Sequence, residues 1–222
     1  MIDSCEIDSS HLIGKGISLL HELVDAPQQM LHRAFNDDFL RNNLLLHHIG
    51  LMVSPCNHTE MLAAIKAKGL KVRSEFPSIL VAAQLSNRFG KKVKVDIYST
   101  CLLYNYVQTL ELFRVVEGLE AHEVFTVMSD IMHIAYTPTK LIDVETLCEK
   151  MSTDGFEYVG GGIIYSIDTV QTNSSTILYF INQQLLKNIP KIEFVLPGIH
   201  MIPSIQKHAV LFRTNIQQGV GL

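Results

Sequence analysis

The chain has 222 residues, 18 of them basic and 22 acidic, for a formal net charge of -4, and 47% of it is hydrophobic. That is enough apolar material for one or two packed domains, yet no run reaches the roughly eighteen residues a transmembrane helix requires. A slightly acidic chain whose densest basic cluster is Lys91-Lys92 offers no stripe of positive charge for a phosphate backbone, so nucleic acid and membrane are both excluded as expected partners. Met1 to Glu6 lacks a basic segment followed by an apolar one, and no signal peptide is read. Cys5, Cys56, Cys101 and Cys148 are scattered without CxxC spacing, which argues against a disulfide framework and for a reducing, cytoplasmic setting.

Residues 1–43 read as a helical extension. Leu12, Ile13, Ile17, Leu20 and Val24 recur at nearly helical spacing over Ser10 to Val24, with Gly14 and Gly16 weakening the pattern. Asp25-Ala26-Pro27 has the form of an N-cap and first turn, opening a second helix from Gln28 to Arg41. Both are expected to pack on the outer face of a sheet or at a subunit contact.

Residues 44–116 form a first module. A strand around His48 is followed by a helix from Thr59 to Lys68, with Thr59 as N-cap and Gly69 ending it. Strands are then expected at Ser78 to Leu85, at Val93 to Thr100 and around Glu111. Residues 117–128 join the halves as a solvated linker, which permits closure within one chain or exchange between two copies in a homodimer. His122 and Glu123 lie in it and match nothing in the repeat.

Residues 129–198 repeat the order. A strand at His133 leads to a helix from Asp143 to Thr153, a Gly155 stop, strands at Gly162 to Thr169 and Thr176 to Ile181, and a last strand around Glu193. Residues 199–222 are a C-terminal extension.

Four residues stand out from this repetition. His48-Ile49-Gly50-Leu51 and His133-Ile134-Ala135-Tyr136 are matched by Leu110-Glu111-Leu112-Phe113 and Ile192-Glu193-Phe194-Val195, with His-to-Glu spacings of 63 and 60 and His-to-Gly spacings of 21 and 22. A single histidine in an apolar run is ordinarily a hydrogen-bonded core residue. Two glutamates in the middle of apolar runs are harder to explain, because carboxylates are rarely buried unless paired or bound to a metal. On a strand, residues two apart share a face. His48 therefore shares one with Gly50 and His133 with Ala135, leaving room beside each, while Glu111 shares a face with Thr109 and Phe113, and Glu193 with Lys191 and Val195. Two nitrogens and two carboxylates suit a borderline or hard divalent ion. His47 faces away from His48 and has no counterpart at Met132.

The doubled βαβββ order with these four residues resembles the vicinal oxygen chelate superfamily, over residues 44 to 198. The resemblance implies an α+β fold in which two βαβββ modules make a cupped, barrel-like sheet around a metal, with an N-terminal helical extension. It implies His48, Glu111, His133 and Glu193 as ligands, the two-His, two-Glu arrangement of glyoxalase I-like members, and Zn, Ni, Co or Mn as the ion. It further implies an isomerase or lyase working on a small-molecule substrate through an enolate-like intermediate, with Glu193 or Glu111 as general base. Two alternatives remain open: a non-haem iron dioxygenase with His48, His133 and Glu193 as its triad, and a non-catalytic binding protein. Tyr98, Ser99, Tyr165, Ser166 and Tyr179 are polar residues on the expected inner strands, and Arg88, in a basic loop from Asn87 to Lys92, either pairs a substrate anion or is solvated.

Overall fold

The computed structural model describes residues 9–25, 27–102, 105–164, 174–182 and 191–200. The class is α+β, as expected, with seven helices and eight strands among those residues. The chain divides into two compact units, residues 1–25 with 48–132, and residues 26–47 with 133–222.

The first unit opens with helix α1 (Ser9–Asp25), which packs on a later strand and helix of the same unit. Gly16 explains itself there: a Cβ at this position would stand 2.2 Å from a Leu51 methyl, so the helix approaches the sheet where side chain is missing. Strand β1 (Leu44–Met52) carries His48. Helix α4 (His58–Ala67) is capped by Asn57 and not by Thr59, because the Asn57 side chain accepts from the Glu60 N–H while the Glu60 carboxylate accepts from the Asn57 N–H, a reciprocal capping box. Gly69, at φ +68°, turns the chain out of it. Two short helices that precede β1, α2 (Pro27–Ala34) and α3 (Asp38–Asn42), belong to the second unit.

Next comes strand β2 (Leu70–Pro77), largely exposed and not anticipated from sequence. Ser78 to Leu85, expected as a strand, is instead the start of helix α5 (Ile79–Phe89). The Ser78 hydroxyl accepts from the Val81 N–H at 3.3 Å, Val81 and Leu85 bury one helical face, and Gly90 ends the helix in a left-handed conformation at φ +64°. Strands β3 (Lys94–Leu102) and β4 (Asn105–Glu117) complete the sheet, whose order in this unit is β2-β3-β4-β1, with β1 parallel to β4 and the other pairings antiparallel. The segment expected as a solvated linker carries helix α6 (Ala121–Ile131), with Val124, Val127 and Ile131 buried. Met52, Ile97 and Phe113 join these residues and Val81 and Leu85 of α5 in one apolar cluster.

In the second unit, β5 (His133–Pro138), α7 (Val144–Thr153, capped by Asp143), β6 (Glu157–Ile164), β7 (Ser175–Ile181) and β8 (Lys191–Pro197) follow in sequence. The strand expected from Gly162 to Thr169 starts earlier, at Glu157, and its part beyond Ile164 lies outside the described residues, as do Tyr165, Ser166 and the C-terminal extension past His200. The order is β5-β8-β7-β6, with β5 parallel to β8.

The single helix expected from Gln28 to Arg41 is broken into α2 and α3. The Asp154 carboxylate accepts the backbone N–H groups of Asn36 and Asp37 at 2.9 and 3.1 Å, and the Asp37 carboxyl caps α3 at the Leu40 N–H. Phe35 packs against Tyr136 and Phe156 at the break. No helix among the described residues is long and apolar enough to cross a membrane.

Gly118 sits at φ +99°, and a Cβ there would stand 2.1 Å from the Lys92 carbonyl oxygen, a backbone atom that has no easy escape. Gly118→Ala is therefore expected to lose about 2 to 4 kcal/mol. Gly90→Ala, in open space, should lose only about 1 kcal/mol. Urea denaturation of the two variants checks the order; equal losses would contradict it.

Candidate metal centre

Each unit brings one histidine beside one glutamate, and it does so by the same backbone device. In the first, β1 runs parallel to β4 with Gly50 opposite Glu111. In the second, β5 runs parallel to β8 with Ala135 opposite Glu193. In-register residues of neighbouring strands share a face, and so do residues two apart on one strand, so His48 and Glu111 point to one side of their sheet and His133 and Glu193 to one side of theirs. The separations are alike: His48 Nε2 is 3.5 Å from Glu111 Oε2, and His133 Nε2 is 3.1 Å from Glu193 Oε2. The residue opposite each glutamate is small, Gly50 in one unit and Ala135 in the other.

The environments differ. His48, His133 and Glu193 are 3%, 2% and 4% exposed, and each offers a ligand atom to a metal, whereas the Glu111 side chain keeps 20% of its surface. Burial pushes the Glu111 carboxyl up from 4.5 to about 7. Beyond the pair, the face that carries His48 and Glu111 continues through Met52, Ile97 and Phe113, which α5 and α6 cover. The opposite face bears Ile49, Leu51, Leu110 and Leu112, all buried.

The antiparallel neighbours of the two glutamates are Ser99 and Tyr179, again at equivalent positions. Both were among the polar residues expected near the site. Tyr98 was another, and it faces the other way: its hydroxyl accepts from Arg114 Nε at 3.0 Å, Arg114 in turn binds Asp96, and burial raises the phenol to about 12. Arg88 lies in the last turn of α5 and not in a loop; it pairs with Asp130, while Lys91 binds the Glu123 carboxylate at 2.7 Å. These two pairs tie α5 and the turn after it to α6, so both cations are engaged within the protein. His47 is exposed, on the face opposite His48.

The donor set suits a metal on chemical grounds. Imidazole nitrogens with carboxylate oxygens match zinc, nickel, cobalt, manganese or ferrous iron, and nothing soft is present in the set to select copper(I).

No family model matches the sequence, and no curated protein matches it. Solved structures similar to the chain include a mutant of 4-hydroxymandelate synthase from Streptomyces coelicolor, at 10% identity and a TM-score of 0.46, over 79% of this chain and 56% of that one. A glyoxalase family protein from Bacillus cereus is similar at 15% identity and a TM-score of 0.26, over 68% of this chain and 93% of that one. The chain thus spans little more than half of the synthase. The assignment of the fold rests on the strand registers above.

The Glu111 carboxyl makes stability depend on pH with a defined sign. Its folded pKa lies above its ordinary value, so its contribution is complete at low pH and is lost as pH rises through about 7. Above that, keeping it ionised costs at most about 3 kcal/mol, less what the His48 ring and the exposed edge return. Metal-free Glu111→Gln should accordingly be more stable than wild type by about 1 to 3 kcal/mol at pH 8 and nearly equal to it at pH 5. Urea midpoints at the two pH values decide it; a gap of the same size at both would remove the burial argument.

Proposed function

We propose that this chain is a divalent-metal-dependent enzyme of glyoxalase type, an isomerase or lyase acting on a small oxygen-bearing substrate, with His48, Glu111, His133 and Glu193 as the ligands of one ion. The observation that supports the reading is the repeated register, Gly50 opposite Glu111 and Ala135 opposite Glu193, each with its histidine two residues upstream. A structural role for one such pair is ordinary. Two pairs built identically, each placing a carboxylate inside an apolar strand, have a common explanation in metal ligation.

A divalent ion held there supplies Lewis acidity toward a substrate oxygen. The chain's own residues supply the rest. His48, His133 and Glu193, being buried, are fixed in position by packing. Glu111, with part of its side chain open and its carboxyl raised toward neutrality, is the better suited of the two glutamates to take a proton from carbon next to a carbonyl and return it. Apolar neighbours on that face, Met52 and Phe113 foremost, keep water from the transferred proton.

A second reading is favoured by one contrast: three of the four residues are fully buried and Glu111 is only partly so. Two histidines and one carboxylate form the triad of non-haem iron oxygenases, and Glu111 would then stand outside the metal's ligands.

Metal analysis separates the readings. One ion per chain is expected after purification, and His133→Ala and Glu193→Gln should retain below about a tenth of it. Glu111→Gln should weaken metal binding and abolish solvent deuterium exchange into small hydroxycarbonyl compounds, followed by NMR. Iron held at full occupancy by Glu111→Gln, with oxygen uptake intact, would shift the assignment to the oxygenase. Wild-type protein that takes up no divalent ion would leave only the reading as a binding protein.

A further inference from the structure

The geometry points to Thr137 as a specificity-determining residue whose hydroxyl hydrogen-bonds a second oxygen of the substrate, carried on the carbon next to the one that offers the metal its oxygen; the inference rests on the metal-centre reading above. Thr137 lies on β5, four residues past His133 and two past Ala135. Alternation puts its side chain on the face that bears His133 and Ala135. The same rule sends Tyr136 to the other face, where its ring meets Phe35. Glu193, opposite Ala135, completes the ligand face. The Thr137 hydroxyl is buried and has no hydrogen-bond partner among the described residues. Hydroxyls withdrawn from water are almost always bonded, because an unmet one keeps the whole cost of its desolvation. A partner that arrives from outside the chain recovers that cost.

The residue as a whole is not sealed in. Thr137 keeps part of its surface, and so does Val195, two residues beyond Glu193 on the same face. Their counterparts in the first unit, Met52 and Phe113, are 2% and 3% exposed and belong to the cluster under α5 and α6. One step past its histidine and glutamate, the ligand face is therefore closed by large apolar side chains in one unit and partly open in the other. Rotation about χ1 exchanges the threonine hydroxyl and methyl among staggered positions, so Oγ1 turns to the open side without any backbone movement. From Ala135 to Thr137 the strand advances about 7 Å. Setting a coordination bond of about 2 Å and a hydrogen bond of about 3 Å at the two ends leaves the separation of oxygens on adjacent carbons.

The test uses the full chain loaded with Co(II) and compares racemic glycerate with racemic lactate, two 2-hydroxy acids of equal charge that differ by the hydroxyl on C3. Titrations are followed through the cobalt absorption bands. Wild type should bind glycerate about tenfold more tightly than lactate. Thr137→Val, which keeps the shape and removes the hydroxyl, should retain its cobalt and bring the two acids within about twofold by weakening glycerate alone. Thr137→Ser should keep the preference. Metal-free Thr137→Val should also reach at least the urea midpoint of wild type, because it removes an unmet polar group and no bond. A lower midpoint, or failure to fold, means that the hydroxyl is already bonded within the protein and overturns the inference. Equal binding of the two acids by wild type, binding of neither, or a preference that survives in Thr137→Val overturns it as well and leaves the metal centre standing. Wild type that takes up no cobalt removes the metal-centre reading, and this inference with it.

Discussion

Putting a carboxylate in the middle of a strand that is otherwise apolar is the constraint on which the rest of this structure turns. An unpaired buried charge is costly by several kcal/mol, so each glutamate must have a polar partner at a fixed place. The chain supplies that partner through parallel pairing of the first and last strand of each module, β1 with β4 and β5 with β8. Parallel neighbours cannot be joined by a tight turn; the connection must travel a long way and return on the same side. In the second module that connection is α7 with β6 and β7; in the first it is α4, β2 and β3, with α5 inserted between the two strands. Each module thus meets the need of a parallel His–Glu register for a long crossover between its first and last strand.

The helices outside the repeat then serve the register in different ways. In the first unit α1 lies close on β1 and β4 through Gly16, while α5 and α6 close the opposite face over Met52, Ile97 and Phe113. A strand packed on both faces has little freedom to slip, and a slip of one residue would turn His48 away from Glu111. In the second unit Asp154 holds the turn between α2 and α3 by two backbone N–H groups. That turn leads into α3, whose N-cap Asp37 is held in place by the same carboxylate.

The ligand candidates were legible because they follow from a short-range rule. Alternation along a strand and a repeated spacing need no knowledge of distant contacts, and the helix ends at Gly69 and Gly155 are written in residues that tolerate positive φ. What escaped was governed by distance or by a stronger neighbouring pattern. β2 alternates Leu70, Val72 and Phe76 with Lys71, Arg73 and Glu75, a strand signal that was present and passed over beside the more apolar run that follows it. Ser78-Ile79-Leu80-Val81 reads as a strand over four residues, and the caps at Ser78 and Gly90 are the sign that it is a helix. The break between α2 and α3 is imposed on Asn36 by a carboxylate 118 positions further along the chain, which no local pattern carries. Tyr98 was ambiguous for a related reason: its face is set by the register with Leu112, opposite to that of Ser99 with Glu111.

The two modules repeat their ligand register and differ around it, and this separates two kinds of constraint. Metal ligation asks for atoms at fixed distances, which the strand pairing provides in the same way twice. Recognition asks for charge and shape beside those atoms, and here the halves part: Thr109 and Ser99 in one, Lys191 and Tyr179 in the other. In the first unit the space past the pair is filled by the protein's own α5 and α6. The strand pairing is thus the same in both halves, and the residues beside it are not: a hydroxyl pair in one, a lysine packed on a tyrosine ring in the other.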